Sequence, residues 1–128
     1  MKKETLTVKT NVIGTVTYRN ADGDLHNPHG LAVIYANGHK EHYINDNLHN
    51  ENGPAMVCAD GSKRYYINGK LHNPNGPAVV CADGSKEYWL KGKRSTETKF
   101  KAWQAQQSAP LHNKTATIDG IEYTLTAK

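Results

Sequence analysis

Cysteine is scarce in this sequence of 128 residues, which has only Cys58 and Cys81. Two cysteines cannot form the set of disulfides that holds many small secreted domains together. They lie 23 residues apart, at the same place in a repeated unit, where strand spacing would separate their Cα atoms by about 10 Å. A disulfide tolerates at most about 7 Å. We therefore predict two free thiols that act as small apolar side chains, not as nucleophiles.

Long hydrophobic runs are also missing, and none is long enough to cross a bilayer. The first residues, from Met1 to Thr7, include two lysines but no apolar segment after them. This pattern does not match a secretory signal peptide. We therefore expect a cytoplasmic protein.

Positive charge is not concentrated in any segment, although the formal net charge is +4. Basic residues exceed acidic ones by four to three in 1–25, eight to six in 26–94, and four to three in 95–128. A nucleic-acid site usually shows a basic cluster or stripe. The dispersed charge predicts no strong nucleic-acid binding and a weak attraction to acidic partners.

A unit of 23 residues recurs three times without a gap. Such periodicity predicts a repeat fold, in which each unit buries its apolar face against its neighbours. The recurring columns are His26, His49 and His72; Gly30, Gly53 and Gly76; Ala32, Ala55 and Ala78; Gly38, Gly61 and Gly84; Lys40, Lys63 and Lys86; Leu25, Leu48 and Leu71; and the aromatic column Tyr43, Tyr66 and Trp89.

Each unit contains alternating strand and turn signals. In the middle unit, the apolar run 55–58 and the return run 63–67 flank a turn at Asp60-Gly61. Asn68-Gly69 is a second turn of the type that joins adjacent antiparallel strands. We therefore predict an all-β fold, an antiparallel meander of stacked 23-residue β-hairpin repeats.

The segments outside the repeats predict end caps within a single domain. Residues 1–25 indicate an N-terminal β cap, before the three repeats of 26–94. Residues 95–108 indicate a short capping helix that begins at Ser95 or Thr96. Residues 109–128 contain a hairpin signal.

The unit from Asp60 to His72, followed by Gly76-Pro77-Ala78, resembles the MORN-like repeats. It is most similar to the variant in YwqK-type antitoxins and in small tailed-phage proteins. The resemblance covers about residues 20–95. It implies a scaffold of stacked hairpins with a protein- or membrane-binding surface, and it brings no catalytic residues and no cofactor. The first unit departs from the pattern, with Leu31 in place of proline and Asp46-Asn47 in place of Gly-Lys.

Two readings of the histidine column are open, a row of metal ligands or a repeated structural contact. Equivalent histidines would lie about 10 Å apart, whereas zinc holds its ligands at about 2 Å. We therefore predict no metal site and expect each ring to bond backbone at a turn. The glycines at 30, 53, 61, 76 and 84 are likewise interpreted as structural.

The aromatic column is either a seam between units or part of an interface. His42, Tyr65 and Tyr88 precede it, and strand alternation predicts that one column is buried and the other exposed. The lysine column (Lys40, Lys63 and Lys86) is interpreted as a solubilising surface interrupted by Glu41 and Glu87. The candidate partner-binding residues are Tyr43, Tyr66, Trp89, Lys63, Arg64 and Lys86.

A regular repeat presents like groups in rows, whereas an active site needs unlike groups in a pocket. We therefore predict a non-enzymatic protein-binding module whose partner has an acidic surface. The resemblance suggests a phage-encoded inhibitor of a bacterial defence system, such as a nuclease complex, acting in the host cytoplasm. The alternatives are an antitoxin-like partner of a toxin, and a phage structural or membrane-surface protein.

Overall fold

The computed structural model describes residues 4–108, 114–118 and 121–125. The chain forms two compact units, Met1–Ser95 and Thr96–Lys128. The elements in chain order are β1 (Thr7–Thr10), β2 (Val16–Arg19), β3 (Val33–Ile34), β4 (Lys40–Glu41), β5 (Tyr43–Ile44), β6 (Asn47–Leu48), β7 (Met56–Val57), β8 (Lys63–Arg64), β9 (Tyr66–Ile67), β10 (Lys70–Leu71), β11 (Val79–Val80), β12 (Lys86–Leu90), β13 (Lys93–Ser95), α1 (Glu97–Ser108), β14 (Lys114–Ile118) and β15 (Ile121–Leu125).

Nine of the strands form one antiparallel sheet in the order β1-β2-β3-β4-β7-β8-β11-β12-β13. Each of the first two repeats contributes two neighbouring strands to it, and the third contributes β11, β12 and β13. The first two repeats also form separate hairpins, β5–β6 and β9–β10. The predicted all-β antiparallel meander with one short C-terminal helix is confirmed.

Short strands and small side chains build the core of the compact unit Met1–Ser95. Ala32, Ala55 and Ala78 are fully buried, and Val33 and Val79 are nearly so. The alanines follow the loop that joins one repeat to the next, where neighbouring strands come together. Their backbone bonds join adjacent repeats: the Ala55 carbonyl, for example, accepts the His42 N–H at 2.7 Å. The core therefore consists of many small contacts between adjacent repeats.

The hairpin turns adopt the left-handed conformations that their sequences predict. Asn68 and Gly69 have φ of 50° and 79°, as a type I′ turn requires. The first repeat places Asp46 at φ 67° in the position of Gly69. Its carboxylate accepts a 2.7 Å hydrogen bond from the Leu25 N–H. This bond offsets part of the cost of holding a residue with a Cβ at a positive φ.

The second unit contains the helix α1 and the hairpin β14–β15. Thr96, one of the two predicted helix caps, bonds as expected: its Oγ1 accepts from the Lys99 N–H at 3.1 Å. The carboxylate of Glu97 lies 3.0 Å from the Lys101 ammonium.

The C-terminal hairpin is present, but the turn predicted between its strands, at residues 119–120, lies outside the described residues. The single-domain boundaries and the capping role of the helix stay predictions. Among the described residues, no helix combines the length and the apolar character that a membrane span requires.

Candidate functional site

The histidine column links the start of each repeat to the hairpin turn near its end. The Nδ1 atoms of His26, His49 and His72 accept backbone N–H bonds of 3.0, 2.9 and 2.9 Å. The donors lie 19 residues further on, in the following hairpin turn, at Asn45, Asn68 and Lys91. An Nδ1 that accepts carries no proton, so each ring is neutral with its proton on Nε2. Each histidine therefore satisfies a turn N–H near the end of its own repeat.

The surroundings of the three rings differ. His26 is buried, and its Nε2 lies 2.9 Å from the Glu4 carboxylate, to which it donates. Burial, and then the charge of Lys91, lower the pKa of His72. Within the described parts of the chain, no group of three or more His, Cys, Asp or Glu side chains is arranged to hold a metal ion.

Both cysteines are free and half-buried. They occupy the starts of equivalent turns, where the N–H of Cys58 donates to the Ser62 carbonyl and that of Cys81 to the Ser85 carbonyl, each at 2.8 Å. Their environment is that of a turn residue packed against its neighbours.

The aromatic column is half-buried at Tyr43, Tyr66 and Trp89 alike. The column before it is also half-buried, so the expectation of one buried and one exposed column does not hold. In the first two repeats the strand is interrupted at the preceding column, at His42 and Tyr65, which ends the strict alternation there. The backbone carbonyls of these three aromatic residues accept N–H bonds of 3.0 to 3.1 Å. The donors are Asn27, Asn50 and Asn73, in the loop at the start of each repeat.

A polar cluster surrounds Glu41, whose side chain is buried. His39 Nε2 donates to Glu41 Oε2 at 2.9 Å, and the Tyr35 hydroxyl donates to Oε1 at 3.3 Å. Burial, and then the nearby Glu41 carboxylate, raise the pKa of Tyr43 to about 12. Because both carboxylate oxygens already have donors, we interpret Glu41 as a structural anchor. Glu87 has a similar contact in the third repeat, accepting from Trp89 Nε1 at 2.9 Å.

The sheet register separates the charges that alternate in the sequence. Residues directly opposite each other in neighbouring strands point to the same face. The register therefore aligns Ile34, Lys40, Val57, Lys63, Val80 and Lys86 in one row across the sheet. The face that carries this row is called the basic face here. Its three lysines are exposed, and its three aliphatic residues are half-buried.

The neighbouring acidic residues lie on the other face. There the register aligns Val33, Glu41, Met56, Arg64, Val79 and Glu87. Glu41 and Glu87 consequently do not interrupt the lysine row, contrary to the sequence-based interpretation. Of the basic candidates, Lys63 and Lys86 share the basic face with Lys40, whereas Arg64 is on the opposite side.

Successive lysines are two strands apart, which corresponds to about 10 Å. Among the described residues, none of these three lysines forms an ion pair with a carboxylate. An unpaired row of this kind can attract an anionic partner, and the aliphatic residues between the lysines can contact its apolar groups.

A groove of about 570 Å³ adjoins the basic face. The loops that begin at Asn50 and Asn73 form its walls, and Tyr65, Ile67 and Val80 lie in its lining. Val80 belongs to both the groove and the lysine row. Tyrosine is a frequent anchor in protein interfaces, so Tyr65 is a further candidate contact.

An asparagine column that the sequence interpretation missed holds these loops in shape. Asn50 Nδ2 donates to the Pro54 carbonyl at 3.0 Å, and its Oδ1 accepts from the Asn52 N–H at 3.1 Å. Asn27 and Asn73 make equivalent bonds. The 23-residue spacing of the three asparagines is the signal that could have revealed them.

Comparisons with known proteins give no match: no family model, no curated protein and no solved structure is significantly similar to the chain. The resemblance to MORN-like repeats accordingly stays a prediction from the residues quoted above.

Proposed function

We propose that this chain is a non-enzymatic protein-binding module that contacts an acidic partner through its basic face. The observation that supports this most directly is the register, which puts Lys40, Lys63 and Lys86 in one exposed row and the adjacent carboxylates on the other face. Exposed charges of this kind steer association, while the adjoining Tyr65 groove offers an anchoring contact.

A folded protein suits this surface better than a nucleic acid does. Lysine alternates with aliphatic side chains in the row, and the row contains no arginine. Base recognition relies mainly on arginine forks and on aromatic stacking, which the row does not supply. A mixed basic and aliphatic strip matches the composition of protein interfaces more closely.

The test is affinity capture from a nuclease-treated lysate of the cells in which the chain is made. We expect Lys40→Glu/Lys63→Glu/Lys86→Glu to lose the captured protein. The matched control is Lys9→Glu/Arg64→Glu/Arg94→Glu, which reverses three exposed charges on the opposite face and should retain it. Association of the purified partner should slow as salt increases. Equal losses in both triple variants, or capture that depends on nucleic acid, would contradict the proposal.

In a finer form, we propose that the chain is phage-encoded and that it inhibits a bacterial defence protein, such as a nuclease complex, in the host cytoplasm. The resemblance of the repeats to small phage proteins supports this form. Phage genes around the coding sequence would favour it, and an adjacent toxin gene would favour the antitoxin alternative. Finding the chain inside virions would replace both with a structural role.

A further inference from the structure

The two edges of the nine-stranded sheet are protected to different extents. The edge strand β13 is three residues long, and Lys93 and Arg94 are two of them. Charged residues on an edge discourage pairing with another chain. The other edge strand, β1, has four residues, all exposed, and Lys9 is its one charged residue. Its threonines and valine favour β structure. Among the described residues, no strand besides β2 pairs with β1, so the outer edge of β1 is open to a further strand.

Backbone groups of Val8 point out of this edge. In β2, the residue opposite Val8 is Tyr18. The Tyr18 N–H donates to the Ala32 carbonyl at 2.7 Å, and the Tyr18 carbonyl accepts from the His26 N–H at 3.0 Å. Both groups of Tyr18 are thus directed away from β1. Opposite residues in an antiparallel pair exchange both hydrogen bonds or neither, so the N–H and C=O of Val8 face outward, and alternation gives Thr10 the same orientation.

The exposed apolar side chains are concentrated at the same end of the sheet. Among the described residues, the large hydrophobic side chains that are exposed are Val8, Val12, Ile13 and Tyr35, with Val8 53% exposed. Apolar groups gathered at one site on a surface often mark an interface. An outward backbone and an exposed valine at the same residue indicate a strand-pairing site at Val8.

We propose that a second copy of this chain pairs antiparallel with β1, around a two-fold axis perpendicular to the sheet at Val8. Around such an axis, residues that lie opposite each other must point to the same face. The possible registers are therefore those in which one residue of β1 lies opposite the same residue of the second copy. The register centred on Val8 sets Val8 against Val8 of the second copy, and Thr7 against its Lys9. A register centred on Lys9 would instead oppose two lysines.

The proposed dimer has a geometric consequence for the basic face. A two-fold axis perpendicular to the sheet keeps each face on its own side, so the lysine rows of both copies would lie on the same side of one continuous sheet. The interface is short, so we expect a weak dimer that forms with increasing concentration. This inference is independent of the acidic partner proposed above.

Disulfide trapping tests the register directly. In a Cys58→Ala/Cys81→Ala background, Val8→Cys places two thiols on residues whose Cα atoms would be about 5.5 Å apart, within the range of a disulfide. Thr10→Cys is the matched control on the same strand and face, and its two copies would be about 14 Å apart. We expect oxidised dimer from Val8→Cys and little from Thr10→Cys. No dimer from Val8→Cys, or equal yields from both, would overturn the proposal.

Sedimentation analysis of chains with both native cysteines tests the backbone contact. Val8→Pro removes the outward N–H without breaking a bond to β2, so it should shift the protein to monomer while leaving its circular dichroism unchanged. Val8→Thr keeps the N–H and should still dimerise. A wild-type chain that stays monomeric up to about 1 mM, or a Val8→Pro chain that dimerises like the wild type, would contradict the proposal. If Val8→Pro does not fold, the comparison of oxidised dimer from Val8→Cys and from Thr10→Cys tests the proposal.

Discussion

At the scale of single residues, backbone conformation separates the glycines that a turn requires from those that it tolerates. Gly61 and Gly84 have φ of 93° and 92°, a region that side chains with a Cβ seldom enter. Gly69 has φ of 79°, and a Cβ built there would lie 3.2 Å from Asn47 Oδ1. Gly53 has no positive φ, and the nearest atom to an added Cβ is 3.7 Å away. The two types of glycine should therefore respond differently to alanine.

We expect Gly69→Ala to lower the free energy of unfolding by about 1–2 kcal/mol, because alanine must take a left-handed conformation. Gly53→Ala is the matched control and should change it by less than about 0.5 kcal/mol. Urea denaturation monitored by circular dichroism measures both. Similar losses in the two variants would show that the conformation of these glycines does not determine their importance.

At the scale of elements, the hairpin turn of each repeat depends on a neutral imidazole ring. The Nδ1 of His72 accepts the Lys91 N–H at 2.9 Å, and protonation would remove this acceptor. Burial and Lys91 lower the pKa of His72, and burial lowers that of His42, although the His42 bond to the Gly30 carbonyl partly opposes the effect. The hairpin stack is therefore linked to pH.

We expect the melting temperature to fall between about pH 7.5 and about pH 5. The unfolded histidines have a pKa of about 6.5, whereas the folded pKa of His72 and His42 is lower. Below about pH 6.5 the unfolded chain binds protons that the folded chain resists, so stability present above that pH is lost as pH falls through the folded pKa values.

The variant His72→Ala separates this effect from general acid sensitivity. It should lower the melting temperature at neutral pH and flatten the pH dependence. His29 is exposed, and His29→Ala should alter neither the melting temperature at neutral pH nor its pH dependence. A melting temperature that stays constant from about pH 7.5 to about pH 5, or an unchanged slope in His72→Ala, would contradict this account.

At the scale of the whole molecule, stability should be distributed along the stack. Interior strands of the nine-stranded sheet have neighbours on both sides, whereas β1, among the described residues, has a neighbouring strand on one side. Repeat folds draw much of their stability from such neighbour contacts, so opening should be easiest at the β1 end.

Hydrogen exchange at low protein concentration tests this gradient. We expect the Tyr65 and Ala78 amides, which donate to the Ala78 and Glu87 carbonyls at 2.7 and 2.8 Å, to exchange slowly. The Val8 and Thr10 amides should exchange fastest within the sheet. The Asn68 amide should be protected in the wild type and should lose protection in His49→Ala. Uniform protection across the sheet, or an Asn68 amide unaffected by His49→Ala, would contradict this description.

The part of the fold that can be predicted from the sequence is the part encoded locally. Asp60-Gly61 and Asn68-Gly69 each mark a turn where it occurs, since the positive φ that Gly61, Asn68 and Gly69 adopt is one that glycine and asparagine tolerate by themselves. The period of 23 residues likewise predicts stacked units. The interruption of the strand at His42 and Tyr65 was not predictable, because it depends on bonds to Ala55 and Ala78 in the next repeat.

The sequence by itself determined the all-β class, the repeat, its turns and the position of the helix, because strand alternation, turn residues and helix caps act over a few neighbours. Only the tertiary structure decided which charges share a surface. Lys40 and Glu41 are adjacent in the chain but lie on opposite faces, whereas Lys40, Lys63 and Lys86 are far apart in the chain and share one. The physical reason is that pairing between strands joins distant segments, and register then assigns every side chain to a face.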